Sequence, residues 1–256
     1  MSALKVVGIT IGIIIVGCIV FFSVKEYGNS KEEPNYVLNY IKEHRDDKTA
    51  SLIVKRNGET LTSINENEKL PLASMSKIII AIEYAKQVAE GKIRKGEQIS
   101  LKELERYYVK NTDGGAHPAW LADVKAKELV KSGQTSLEEV VKGMIHYSSN
   151  ANAKDYMSLM EKINNRNYFT QQIQDEIENI FKGTVGEGIF EFAGQKGGST
   201  AFVLTNSFYG TDKNGNKIEI VFMMNNLSEK SFEKLLSNMD YFIRDIVISE
   251  EFRNKL

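Results

Sequence analysis

The sequence of 256 residues contains one cysteine, three histidines and three prolines. A single cysteine excludes an intramolecular disulfide and every zinc site that is built from several cysteines. His44, His117 and His146 lie far apart in the chain and form no metal-binding motif such as HExxH. We therefore expect no metal chemistry. The few prolines also provide no proline-rich linker between domains.

Neither sign of charge is in excess, because 33 Lys and Arg residues are balanced by 34 Asp and Glu residues. Nucleic-acid-binding proteins usually carry a marked positive excess, so this class of function is disfavoured. Hydrophobic residues make up 42% of the chain and charged residues 26%, as in ordinary globular proteins. The length is sufficient for one medium-sized domain with a full hydrophobic core, or for two small domains.

One long uncharged run lies near the N-terminus, between Val6 and Val24. As a helix, these residues would extend about 28 Å, which is enough to cross a hydrocarbon core of about 30 Å. We predict a single-pass membrane anchor within residues 1–25, with the rest of the chain outside the cytoplasm. The alternative is a lipoprotein, because the string IVGC that ends at Cys18 resembles a bacterial lipobox.

The rest of the sequence predicts an α+β fold. A polar stalk and a first helix, which begins at Pro34, are expected within residues 26–47. Hairpins are expected at Asn57-Gly58 and Asn214-Gly215, the latter between strands at 201–208 and 218–224. Further helices are predicted at 75–90, 136–148, 151–163 and 170–181, and after Ser228. The helix at 75–90 is apolar on most of its circumference and is expected at the centre of a core. Strands at both ends and helices between them predict one antiparallel sheet packed with a helical block, in a domain of residues 48–256.

Ser74 and Lys77 lie one turn apart at the start of the predicted apolar helix. The N-terminus of a helix presents N–H groups that favour a developing oxyanion. Burial at this position would lower the pKa of Lys77 toward the range of a general base, which a serine nucleophile needs. The alternative is that Ser74 only caps the helix while Lys77 extends into solvent.

Two further segments contain polar residues that suit amide chemistry. Ser148 and Asn150 lie between two predicted helices, where Ser148 would relay a proton and Asn150 would hydrogen-bond an amide. The alternative for both is ordinary helix capping. The segment from Lys196 to Thr200 opens the strand of the second hairpin, where glycine permits close approach and Lys196 would bind a carboxylate. Its alternative is a glycine-rich turn with a solvated lysine.

The order Ser-x-x-Lys, Ser-x-Asn, Lys-Gly-Gly resembles the three motifs of class A β-lactamases and penicillin-binding proteins. The surrounding strings, such as LPLA before Ser74 and SLEEVVKGMIHYSSNANA around Ser148, are similar to that family as well. The resemblance covers about Lys48 to the C-terminus. It implies a β-lactamase/transpeptidase-like fold and a serine hydrolase without a cofactor.

The resemblance assigns a role to each motif residue. Ser74 is expected to be the acylated nucleophile and Lys77 its proton acceptor, with Ser148 and Lys196 as the other catalytic residues. Backbone N–H groups of Ser74 and Ser199 would form the oxyanion hole. Gly197 replaces a threonine that is usual in the family, and Ser149 replaces an aspartate. The residues expected to bind substrate are Asn150, Gly198, Ser199 and Thr200.

One part of the class A pattern is missing. Class A β-lactamases carry a Glu-x-x-Leu-Asn loop between the second and third motifs, and its glutamate activates the deacylating water. The 48 positions from Ser148 to Lys196 contain no such string. Glu161, Asp175 or another carboxylate would have to supply the base from a rearranged helix. We therefore expect a membrane-anchored enzyme that is acylated by a β-lactam or a D-alanyl peptide and deacylates slowly. The alternatives are a D,D-peptidase or acyl-transferase on cell-wall peptides, and a sensor without turnover.

Overall fold

The computed structural model describes residues 32–106, 108, 116–144, 150–186, 188–200 and 202–256. The predicted membrane anchor and the alternative lipobox cysteine, Cys18, lie outside these residues, as does Ser148 of the second motif. Within the described ranges, no helix combines the length and the apolarity that crossing a bilayer requires.

The described residues form short helices and strands in mixed order, which confirms the predicted α+β class. The strands are β1 (Ala50–Arg56), β2 (Glu59–Ile64), β3 (Lys69–Pro71), β4 (Gln98–Ser100), β5 (Gln134–Ser136), β6 (Asn150–Asn152), β7 (Phe190–Thr200), β8 (Val203–Asp212) and β9 (Lys217–Met224). The helices are α1 (Pro34–Glu43), α2 (Lys77–Ala89), α3 (Leu101–Glu105), α4 (Ala116–Ala126), α5 (Leu137–Met144), α6 (Ala153–Asn165), α7 (Gln171–Phe181), α8 (Glu229–Ile248) and α9 (Glu250–Arg253).

The main sheet is antiparallel and has the strand order β2-β1-β9-β8-β7. Both predicted hairpins are confirmed. At the first turn, Asn57 and Gly58 have φ values of 52° and 84°, which is the pair of left-handed residues that a tight hairpin turn requires. At the second turn, the carboxylate of Asp212 accepts hydrogen bonds from the backbone N–H groups of Asn214 and Asn216, both at 2.8 Å.

Each face of the sheet is covered by its own hydrophobic core. On one face, Phe222 of β9 packs edge-on against Phe242 of α8, with ring centroids 5.9 Å apart, and α1 completes this layer. On the other face, Tyr209 of β8 meets Phe181 of α7 in the same manner at 6.0 Å, together with residues of α2 and α6. Alternating strand residues therefore serve two cores, as expected for a sheet between two helical layers.

Helix α2 differs from the sequence prediction in how it is buried. Its apolar composition predicted a helix surrounded by core, but Ile79 and Ile80 are 55% and 46% exposed among the described residues. The buried face is formed by Ile78, Ala81 and Tyr84 together with Ala85. Composition alone does not reveal on how many sides a helix has neighbours, so this prediction was wrong.

Strand β7 ends where the sequence patterns predicted that a strand begins. The segment from Lys196 to Thr200 was expected to open the strand of the second hairpin, whereas it ends β7, an edge strand of eleven residues that pairs with β8. The glycines of β7 have low strand propensity, so the local pattern is weak. The strand forms because β8 supplies its pairing partner.

Candidate active site

Ser74 lies in a 3₁₀ turn, Ala73–Ser76, that leads into α2, rather than in the first turn of the α-helix itself. The backbone N–H of Met75 closes this turn by donating to the carbonyl of Leu72 at 3.0 Å. Ala73 has a φ of 45°, a left-handed conformation that is uncommon for a residue with a side chain and is often found at functional sites. The turn buries Ala73 and Met75 and leaves Ser74 half-buried. The serine is thus held on a tight, anchored turn with part of its surface open.

Lys77 is the first residue of α2, and only 2% of it is exposed. Burial disfavours the ammonium form, and the positive charge of Lys196 adds to this effect, so that the pKa of Lys77 falls to about 6. A lysine with this pKa is largely neutral at pH 7. It is therefore suited to accept a proton from a nucleophile one turn away.

Lys196 approaches the same place from β7 and is 6% exposed. Its burial lowers the pKa to about 8, and its ammonium group donates to the carbonyl of Gly197. Lys196 thus keeps most of its charge at pH 7 while Lys77 has lost it. The two lysines differ in the way that a base and an anion-binding group should differ.

The end of β7 packs directly against the turn that carries Ser74. A side-chain carbon added at Gly198 would overlap the backbone nitrogen of Ser74 and would lie 2.9 Å from the carbonyl oxygen of Leu72. Only a glycine fits at this close approach of two backbones. The N–H of Ser74, expected to contribute to the oxyanion hole, is therefore located at the junction of the first and third motifs.

Ser199 and Thr200, the other predicted substrate-binding residues of this segment, are exposed at the end of β7. Among the described residues, β7 is an outer strand of its sheet, and pairs only with β8. Its free side leaves backbone groups beside Ser74 for an extended ligand.

The second motif is only partly described. Ser148 lies outside the described residues, whereas the backbone of Asn150 forms β6 and stands opposite Pro71 of β3. Pro71 precedes Ser74 by three residues, so this pairing brings the second motif beside the first. No sequence pattern had indicated β3 or β6, which are only three residues long.

The two carboxylates considered for deacylation are engaged elsewhere. Glu161 forms an ion pair with Lys55 of β1 at 2.8 Å, and β1 lies three strands from β7, about 14 Å across the sheet. Asp175 is exposed on α7 and accepts a hydrogen bond from Gln171 at 2.6 Å.

The chain between α6 and α7 is also too short for a catalytic loop. Helix α6 ends at Asn165 and α7 begins at Gln171, so only residues 166–170 connect them. Because α6 starts next to β6 and extends for about 20 Å, this connection lies at the end of the helix that is remote from the second motif.

Comparisons with known proteins agree with this arrangement. The model of the family described as "Beta-lactamase enzyme family" matches residues 35–154, which include the first two motifs. A β-lactamase from Sphaerobacter thermophilus is 14% identical and has a TM-score of 0.60, over 82% of this chain and 96% of that chain. A class A β-lactamase from Bacteroides cellulosilyticus is also 14% identical, with a TM-score of 0.57, over 86% of this chain and 100% of that chain.

A third similar structure, described as PBP-A, is 17% identical and has a TM-score of 0.51, over 82% of this chain and 96% of that chain. No protein with a curated description matches the sequence significantly. At these identities the structural likeness shows the fold, and the family model adds the first two motifs. The fold is therefore that of the serine β-lactamases and penicillin-binding proteins, and over residues 35–154 the family model agrees with the resemblance that the motifs predicted.

Proposed function

We propose that this protein is a serine hydrolase that forms an acyl-enzyme with a β-lactam or a D-alanyl peptide. The observation that carries the proposal is the position of Lys77, a buried lysine with a lowered pKa one turn from Ser74 and beside Lys196. Lys77 takes the proton of Ser74 as its oxygen bonds to the amide carbonyl. Collapse of the tetrahedral intermediate breaks the C–N bond, and the departing nitrogen receives the proton that Lys77 took from Ser74, with Ser148 as the relay.

The proposed substrates carry a carboxylate next to the reacting amide. The charged ammonium of Lys196 is the group that would bind this carboxylate, and the exposed hydroxyl groups of Ser199 and Thr200 would assist. Gly197 lacks the hydroxyl of the usual threonine, so Lys196 has a larger share in binding here. The free side of β7 would hold the peptide-like part of the substrate.

The acyl-enzyme is proposed to be long-lived, because the sequence lacks the Glu-x-x-Leu-Asn string and the side chains of Glu161 and Asp175 are engaged with other residues. The expected turnover is far below the usual range of roughly 1–10³ per second. With a chromogenic cephalosporin, we expect a burst of product equal to the amount of enzyme, followed by a very slow phase. Steady hydrolysis at an ordinary enzymatic rate would show that a deacylation base exists.

The same absence favours a second candidate function, a D,D-peptidase or acyl-transferase that acts on cell-wall peptides. Its acyl group would pass to water or to an amine. Release of D-alanine from a D-alanyl-D-alanine peptide would support it. A stoichiometric burst with β-lactam, without any release of D-alanine, would instead support a sensor that captures its ligand once.

The acylation rate is expected to depend on pH in the form of a bell. The rate should rise as the pH increases through about 6, because Lys77 becomes the neutral base, and fall above about 8, because Lys196 loses its charge. Lys196→Arg should move only the alkaline limb, toward higher pH, because a guanidinium stays protonated. The measurement is the rate of labelling by a fluorescent penicillin. If the labelling rate does not rise between about pH 5 and 7, Lys77 is excluded as the base.

We further propose that the hydrolase domain is held at the outer face of the cell membrane by the N-terminal hydrophobic run. The support is the uncharged stretch from Val6 to Val24. The full chain should sediment with membranes and resist extraction by salt, whereas residues 32–256 should stay in the supernatant. Incorporation of a labelled fatty acid at Cys18 would favour the lipoprotein alternative.

A further inference from the structure

We propose that Thr205 is a positioning residue. It holds the turn that carries Ser74 against β7, so that the Ser74 N–H stays oriented toward the oxyanion. Thr205 lies on β8, outside the three motifs. The proposal rests on the proposed acyl-transfer function, since an oxyanion forms only in that chemistry.

The hydroxyl of Thr205 lies between two backbone segments of the site. Thr205 is fully buried and stands opposite Gly198 in the β7–β8 register. Its Oγ1 donates to the carbonyl of Leu72 at 2.8 Å and lies 3.2 Å from the carbonyl of Gly198. A single side chain thus contacts both the turn before the nucleophile and the third motif.

The Leu72 carbonyl is the point through which this contact reaches Ser74. The same carbonyl accepts the hydrogen bond from Met75 that closes the 3₁₀ turn. Loss of the Thr205 hydroxyl would leave a buried carbonyl with one partner fewer and would free the turn to shift relative to β7. Because Gly198 already touches the Ser74 amide, even a small shift changes where that N–H points.

Loss of the Thr205 hydroxyl should affect the acylation rate more than the stability of the fold. A displacement of about 1 Å at reacting groups costs about 10²-fold in rate, whereas one neutral hydrogen bond contributes little to overall stability. Thr205→Val has the same shape without the hydroxyl, and we expect it to slow acylation about 10- to 100-fold at saturating β-lactam. The concentration for half-saturation should change little. Thr205→Ser keeps the hydroxyl and should restore the rate to within about threefold of the unchanged protein.

The matched control is Thr211→Val, on the same strand. The hydroxyl of Thr211 is likewise buried and donates to Asn164 at 2.8 Å, but it lies six residues from Thr205, about 20 Å along β8. Thr211→Val should lower the unfolding temperature without changing the acylation rate. Equal slowing in both valine variants would mean a general structural effect and would overturn the proposal.

The experiment measures the limiting acylation rate of each variant together with amide hydrogen exchange at Ser74 and Met75. We expect slow acylation and faster exchange in Thr205→Val only. If Thr205→Val is acylated as fast as the protein without a substitution, the role of Thr205 is overturned while the proposed function stands. If the unchanged protein is never acylated, the proposed function fails, and unaltered exchange in Thr205→Val would overturn the positioning role separately. Thr205→Ala serves the same measurements if Thr205→Val does not fold.

Discussion

Gly198→Ala should nearly abolish acylation, whereas Gly197→Ala should leave it close to the unchanged level. A methyl group at Gly198 would overlap the Ser74 nitrogen and lie 2.8 Å from Oγ1 of Thr205, so the turn must move away from β7. Since loss of one oxyanion-hole donor costs about 10²–10³-fold, we expect a loss of at least that size. At Gly197 the nearest atom would be 3.4 Å away, which is a tolerable contact. The measurement is labelling by a fluorescent penicillin.

Gly194→Ala is the control for steric strain in β7 that does not involve Ser74. There the added methyl would meet the hydroxyl of Tyr209 at 2.6 Å, in the core and four residues before Gly198. This variant should unfold at a lower temperature and yet label at a rate similar to that of the unchanged protein. If Gly194→Ala and Gly198→Ala lose labelling equally, strand strain rather than the contact with Ser74 explains the loss.

Removal of the nucleophile pair should have the other large effect. Ser74→Ala should abolish covalent labelling, because no oxygen remains at that position to be acylated. Lys77→Met keeps the length and burial of the side chain without its amine and should slow labelling about 10²–10⁴-fold. The acid limb of the pH profile should disappear as well. Labelling of Ser74→Ala at the unchanged rate would remove the assignment of the nucleophile.

Stability measurements separate this catalytic loss from misfolding. Between about pH 6 and 10.5, the unfolded chain carries a proton on Lys77 that the folded chain lacks, so the stability of the unchanged protein rises with pH in this window. Lys77→Met removes this cost of burying an amine. The variant should therefore unfold at the same or a higher temperature at pH 7, although it is slow in acylation. A marked fall in unfolding temperature would indicate a structural role for Lys77.

Features that depend on local chemistry could be predicted from the sequence. The turn at Asn57-Gly58 formed as expected. The predicted starts of three helices are also explained by local chemistry, because the hydroxyl groups of Ser136, Thr170 and Ser228 accept from the backbone N–H three residues later. These signals involve few residues and little tertiary context. The α+β class followed from their order.

Features that depend on contacts between distant segments could not be predicted. Strand β7 exists because β8 pairs with it, and Ser74 lies on a 3₁₀ turn because that turn packs against β7. The contact of Thr205 with Leu72 joins residues 133 positions apart and has no sequence signal. The motif order indicated Ser74, Lys77 and Lys196 as candidates, but only the register of the sheet shows that Thr205 contacts both Leu72 and Gly198.

Intact-mass spectrometry of the full chain mixed with penicillin tests the central claim most directly. We predict that one adduct of the mass of penicillin appears on each molecule, persists after free penicillin is removed, and maps to the peptide that contains Ser74. The adduct should be absent from Ser74→Ala. The account would be contradicted by an adduct on another residue, or by rapid consumption of penicillin during which no adduct accumulates.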